Sequence, residues 1–137
     1  MVKLFMSKHF FYIILLGIFF LGNSCQQNPY SQGKIMYENF CESCHMKDGS
    51  GLGANIPPLA GADYLKSNAH LLPCIIRYGI SEEIVVNGKT YTTPMVGIPQ
   101  LKDVEIANII NYINHAWGND NGYTTIQEVQ KQLEQCE

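Results

Sequence analysis

The sequence predicts a mainly α-helical fold of three to five helices with one small β-hairpin late in the chain. Three observations carry this expectation. Apolar residues recur at helical spacing over about residues 33–45, 71–78 and 103–117. β-branched residues flank Asn87-Gly88, a pair suited to a tight two-residue turn, so residues 84–91 read as the hairpin. Cys41-Glu42-Ser43-Cys44-His45 places two thiols three residues apart, followed at once by an imidazole, where the first helix ends. At 137 residues there is room for one such domain and an N-terminal address.

The address comes first. Lys3, Lys8 and His9 make a positive start, and Phe10 to Leu21 is an apolar run broken only by Gly17. Such a run falls short of the roughly 20 residues that span a bilayer and fits the apolar part of a secretory signal. Leu21-Gly22-Asn23-Ser24-Cys25 resembles a loose bacterial lipobox. On this reading residues 1–24 are a lipoprotein-type signal peptide, Cys25 is the lipidated N-terminus, and 25–32 form a polar tether around Pro29. The domain would be anchored in a membrane and face the periplasm. Ordinary cleavage with Cys25 incidental, or an uncleaved anchor, are the alternatives, and both also place the domain outside the membrane.

Within the first helix Gly33, Tyr37 and Cys41 are four apart and share one stripe, while Ile35, Met36 and Phe40 extend its apolar face. A helical glycine costs about 1 kcal/mol relative to alanine and makes sense where another helix must come close. Residues 47–55 form a glycine-rich loop that lacks the Gly-Lys-Ser/Thr ending of a phosphate cradle and follows no strand. In Ile56-Pro57-Pro58-Leu59-Ala60-Gly61, two prolines impose an extended segment without backbone donors. Asp63–Lys66 fits one helical turn, and a helix over about 71–78 tolerates Pro73 in its first turn and stops at Gly79. The stretch 92–99 is a loop containing Met95, the only methionine after residue 46. Ile106, Ile109, Ile110, Ile113 and Trp117 define the last core helix, closed by Gly118. Residues 33–118 form the domain; 119–137 are an extension with a further helix from about Thr124, announced by the Thr125-x-x-Glu128 capping box and expected to rest on the surface.

Nine basic and twelve acidic residues give a net charge of −3, which becomes about −5 once Lys3 and Lys8 are removed with the signal. No basic cluster remains, which argues against nucleic-acid binding. A mildly acidic surface suits a partner with a basic docking patch. Export would permit a disulfide between Cys74 and Cys136. The sequence does not set their separation, and a buried thiol at Cys74 with a tail thiol at Cys136 is the alternative.

Cys-x-x-Cys-His is the attachment signature of c-type haem: two thioether bonds to the ring, with the next imidazole reaching the iron. Zinc on Cys41, Cys44, His70 and Cys74, or a dithiol redox pair, are rivals. Both leave His45, the proline segment and the Met95 loop without a role. With haem, thioether sulfur is the usual partner of histidine in electron carriers, and Met95 lies 50 residues beyond His45, enough chain to wrap the ring. His70 and His115 are the remaining imidazole candidates for a second ligand. The Pro57 segment can offer a carbonyl to the free nitrogen of His45.

Taken together, residues 33–118 resemble a small single-haem class I cytochrome c of the bacterial branch found near terminal oxidases and reductases. The resemblance rests on Gly33/Tyr37/Cys41, Cys41-x-x-Cys44-His45, Pro57-x-Leu59-x-Gly61, the Met95 loop, Ile109 with Tyr112, and Trp117-Gly118-Asn119. It implies the cytochrome c-like fold around one covalent haem c, first and last helices crossing at Gly33, and the Pro57 carbonyl orienting His45. Two positions depart from the pattern. Pro94 precedes Met95 while Val96 follows it, and Lys102 stands where a serine or aspartate often caps the last helix, so that Asp103 is expected to cap one residue later. The implied function is one-electron transfer, without catalysis, between an exported carrier and redox partners: a terminal oxidase or reductase on one side, a quinol-oxidising complex on the other. A haem sensor or peroxidase-like enzyme with an open sixth position, and a zinc-binding lipoprotein, are the alternatives.

Overall fold

The computed structural model describes residues 28–136. The expected signal peptide and Cys25 lie outside the described residues. Among the described residues no helix is long and apolar enough to cross a membrane.

Helix α1 (Ser31–Phe40) begins two residues earlier than the periodicity suggests and stops at Cys41. The expected continuous helix to His45 is broken there: Cys41 leaves helical geometry at φ −122°, ψ −33°, and a single turn, α2 (Glu42–His45), follows. The Cys41 carbonyl accepts from both Cys44 N–H (3.1 Å) and His45 N–H (2.9 Å), which starts the new turn. The buried side of α1 is Gly33 and Tyr37; Ile35, expected on the apolar face, is 47 % exposed.

Helix α3 (Asp63–Ser67), a 3₁₀ turn (Ala69–Leu71) and α4 (Leu72–Tyr78) come next, with Pro73 in the first turn of α4 as expected. The hairpin is β2 (Ile84–Val86) with β3 (Lys89–Tyr91), in the register Ile84↔Tyr91, Val85↔Thr90, Val86↔Lys89. Asn87 and Gly88 both have positive φ (50° and 73°), which a tight hairpin turn of this hand requires. Asp63 and Asn87 exchange backbone-to-side-chain bonds of 3.0 and 2.8 Å, which lock the hairpin to α3. A second antiparallel pair, absent from the sequence reading, joins β1 (Gly79–Ile80) to β4 (Met95–Val96), with Gly79 opposite Val96 and Ile80 opposite Met95.

Helix α5 (Asp103–His115) ends two residues before the expected Trp117. Ala116 is extended, and Trp117 (φ 53°) turns the chain so that its ring packs at 5.1 Å from Tyr37 and 5.5 Å from Tyr112. At the other end, Asp103 is not the cap. Lys102 occupies the cap position, its N–H donates to the Glu105 carboxylate (2.7 Å), and Asp103 instead pairs with Arg77 at 2.8 Å.

The extension also departs from expectation. Helix α6 (Ile126–Leu133) has the predicted capping box, with Glu128 N–H donating to Thr125 Oγ1 (3.2 Å) and Thr125 N–H to the Glu128 carboxylate (2.7 Å). It does not merely rest on the surface: Val129 is fully buried, Leu133 packs on the core, and Cys136 forms a disulfide with Cys74 of α4. Asn111 of α5 fixes the approach to α6 by bonding Thr124 in both directions (2.8 and 2.7 Å).

Helices α1 and α5 cross at Gly33. A Cβ there would fall on the Asn108 carbonyl oxygen and within 2.7 Å of Tyr112 Cβ, so the crossing exists because residue 33 has no side chain. Gly33→Ala should destabilise the fold by about 3 kcal/mol, as overpacking of rigid backbone does, despite alanine's better helix propensity. Denaturant titration measures this.

Tyr37, beneath the crossing, donates its hydroxyl to the Met46 carbonyl (2.6 Å). Burial, reinforced by the nearby Cys41 thiol, raises its pKa well above the ordinary tyrosine value. A raised folded-state pKa contributes stability fully present below the unfolded value near 10 and lost as pH rises through the folded one. The stability advantage of wild type over Tyr37→Phe should therefore shrink above about pH 10.

Candidate functional site

One cavity of about 490 Å³ opens between these elements. Its lining includes Cys41, Cys44 and His45 from the break after α1, Pro57 to Leu59, Leu72, Ile75 and Ile76 of α4, and Tyr91, Pro94 and Met95. Ile109, Ile110 and Ile113 of α5 complete it. The proposed cofactor residues, scattered over 55 positions, therefore border a single apolar space. That size suits a bulky cofactor.

His45 is 9 % exposed and its Nδ1 lies 3.2 Å from the Pro57 carbonyl. A proton on Nδ1 makes that a hydrogen bond and leaves Nε2 with its lone pair free. Burial lowers the His45 pKa, partly opposed by the Pro57 bond, so the ring is held neutral. Pro57 can play this part because neighbouring groups fix it. Leu59 N–H and Ala60 N–H both donate to the Gly49 carbonyl (2.7 and 3.0 Å). Asn119, which the sequence marks only through the resemblance and without a role, adds three bonds: to Leu59 O (2.9 Å), to Ile113 O (2.8 Å), and from Gly61 N–H (2.8 Å). They tie the proline segment to the end of α5.

Cys41 is half-buried and Cys44 exposed, and both are free of disulfides. Burial, with Cys44 close by, pushes the Cys41 thiol up to about 12. The zinc alternative fails on composition. Cys74 is consumed by Cys136, and among the described residues no cluster of three His, Cys, Asp or Glu could hold a metal.

Met95 sits in β4, not in a free loop. Ile98 N–H donates to the Ile76 carbonyl (2.9 Å), which, with the β1–β4 ladder, seats the strand on the end of α4. Two glycines make this possible: a Cβ on Gly79 would lie 2.7 Å from Gly97 N, and one on Gly97 would lie 2.7 Å from the Arg77 carbonyl. The sequence marks Gly79 only as a helix stop and Gly97 not at all. His70 and His115, the other imidazole candidates, do not border the cavity. His115 instead bonds the Asn111 carbonyl (2.8 Å) and stacks on Tyr30 at 4.3 Å. Met36 and Met46 are also absent from the lining.

Two thiols and a neutral imidazole from one turn, a thioether from another element, and apolar walls are a donor set that fits covalent haem. Fold and cavity together define a small, mainly helical protein with an apolar space for one bulky cofactor beside two free thiols and an imidazole. The chain belongs to the cytochrome c family, whose model matches residues 30–117. It is similar to two proteins named cytochrome c-552 from Thermus thermophilus. One is 33 % identical over 118 residues, covering 83 % of this chain and 74 % of that protein. The other is 39 % identical over 83 residues, covering 58 % and 63 %. The cytochrome c subunit of the quinone alcohol dehydrogenase of Gluconobacter oxydans is 29 % identical over 102 residues, 72 % of this chain but only 21 % of that subunit. The cofactor is covalent haem c, and the role of the chain is to carry electrons.

Proposed function

We propose that His45 and Met95 are the axial ligands of this haem, that Cys41 and Cys44 form its thioether bonds, and that the Pro57 carbonyl orients His45. The observation that carries this reading is that His45, Met95 and both cysteines border one apolar cavity, with Nδ1 of His45 already engaged. When bound, haem c supplies a single-electron Fe(II)/Fe(III) couple. The chain's own residues do the rest. His45, kept neutral and aimed by Pro57, offers Nε2; Met95, held by β1, offers sulfur from a second element; Ile, Leu and Tyr side chains exclude water. Low polarity and thioether ligation both favour the reduced state. With two side chains committed to the metal no position is left for a substrate, so the chain relays electrons and is not itself an enzyme.

The donor and acceptor are membrane-linked redox proteins: a quinol-oxidising complex or quinone-linked dehydrogenase on one side, a terminal oxidase or reductase on the other. The dehydrogenase is suggested by the relatives that are cytochrome c subunits of quinone alcohol dehydrogenases. Export and anchoring through lipidated Cys25 would keep the carrier beside them, at the periplasmic face. The test is spectroscopic and electrochemical. The ferric protein should show a sulfur-to-iron charge-transfer band, and optical titration should follow a one-electron Nernst slope of about 59 mV per decade. A band absent from the correctly matured protein would reject Met95.

A further inference from the structure

Nothing in the electron-carrier reading uses the C-terminal tail. It lies beyond the family match, which ends at residue 117, yet it is built into the fold. Helix α6 packs on α4 and α5, Val129 is fully buried, and Cys136 is bonded to Cys74 in the first half of α4, their Cα atoms 5.7 Å apart.

Helix α4 has only seven residues and performs two tasks. Its Leu72, Ile75 and Ile76 form a wall of the cavity. Its C-terminal end seats the strand bearing Met95, through the Ile98–Ile76 bond and the β1–β4 ladder. So short a helix has little stability of its own and holds its place by what packs against it. On the side of α5 that is Arg77 paired with Asp103 at 2.8 Å. At its other end it is the disulfide and α6.

We propose that α6 and the Cys74–Cys136 bridge form a brace that holds α4, and through it the β1–β4 pair, where Met95 meets the cavity. Cys74, Cys136 and Val129 are on this account positioning residues for the methionine. The proposal rests on Met95 being the ligand. Without the brace α4 opens locally more often, and β4 with its methionine moves away with it.

The test compares holo wild type, Met95→Ala and the double variant Cys74→Ala/Cys136→Ala, well below their melting temperatures. The ferrous double variant should take up carbon monoxide at least about tenfold faster than wild type, given what a bridge of this kind contributes to local stability. Its ferric charge-transfer band should weaken at unchanged haem content. A lowered melting temperature with both readouts unmoved would mean that the tail only stabilises the fold, and would overturn the proposal. Should the double variant not assemble, Val129→Ala keeps the bridge and thins the packing: several-fold faster uptake supports the brace, unchanged uptake refutes it. Equal uptake by wild type and Met95→Ala would reject the ligand assignment itself, a distinct failure.

Discussion

His45→Ala is expected to abolish the low-spin haem spectrum. Among the described residues His45 is the only imidazole bordering the cavity. His115 is occupied by the Asn111 carbonyl and the Tyr30 ring, and His70 lies on an exposed turn. The substitution also removes the Pro57 carbonyl's partner, a part-buried hydrogen bond worth about 1 kcal/mol. Thioether bonds to Cys41 and Cys44 are covalent and keep an attached ring in place, so haem should still stain on the gel while the low-spin spectrum is lost. Absorption spectra and haem staining of denaturing gels measure this, with His115→Ala as a control expected to keep the wild-type spectrum.

Met95→Ala has the second largest expected effect, of a different kind. The cofactor remains, held by both cysteines and His45, but the reduction potential should fall by on the order of 0.1 V or more, within the roughly 0.8 V range that axial ligands span. Two causes act in the same direction: loss of the thioether, which favours ferrous iron, and entry of water into an apolar cavity. Potentiometric titration decides it. A potential equal to wild type would mean that Met95 lies off the iron.

The parts of this molecule that could be read from its residues are those governed by local chemistry. Cys-x-x-Cys-His, the Asn87-Gly88 turn and the Thr125/Glu128 cap each act over a few residues and appear in the structure where the sequence places them. Gly33 was legible because a helical glycine on the same stripe as Tyr37 has little reason to exist except a close crossing. The features missed depend on partners distant in the chain. Strands of two residues, such as β1 and β4, carry no alternation to detect. The turn at Trp117 is paid for by its ring packing on Tyr37 and Tyr112, not by its own backbone preference. The burial of α6 turns on Val129 and on a bridge 62 residues long, neither of which has a periodic signature. The weight carried by Asn119 could not be seen either, since an asparagine after a helix is ordinarily just a turn residue.

Carbon monoxide offered to the ferrous wild-type protein tests the central claim most directly. A haem gripped by His45 and Met95 has no vacant position, so the spectrum should stay as it was over minutes. Rapid, stoichiometric conversion to a carbon monoxide complex would show the sixth position open and the chain to be a ligand-binding haem protein instead of a carrier.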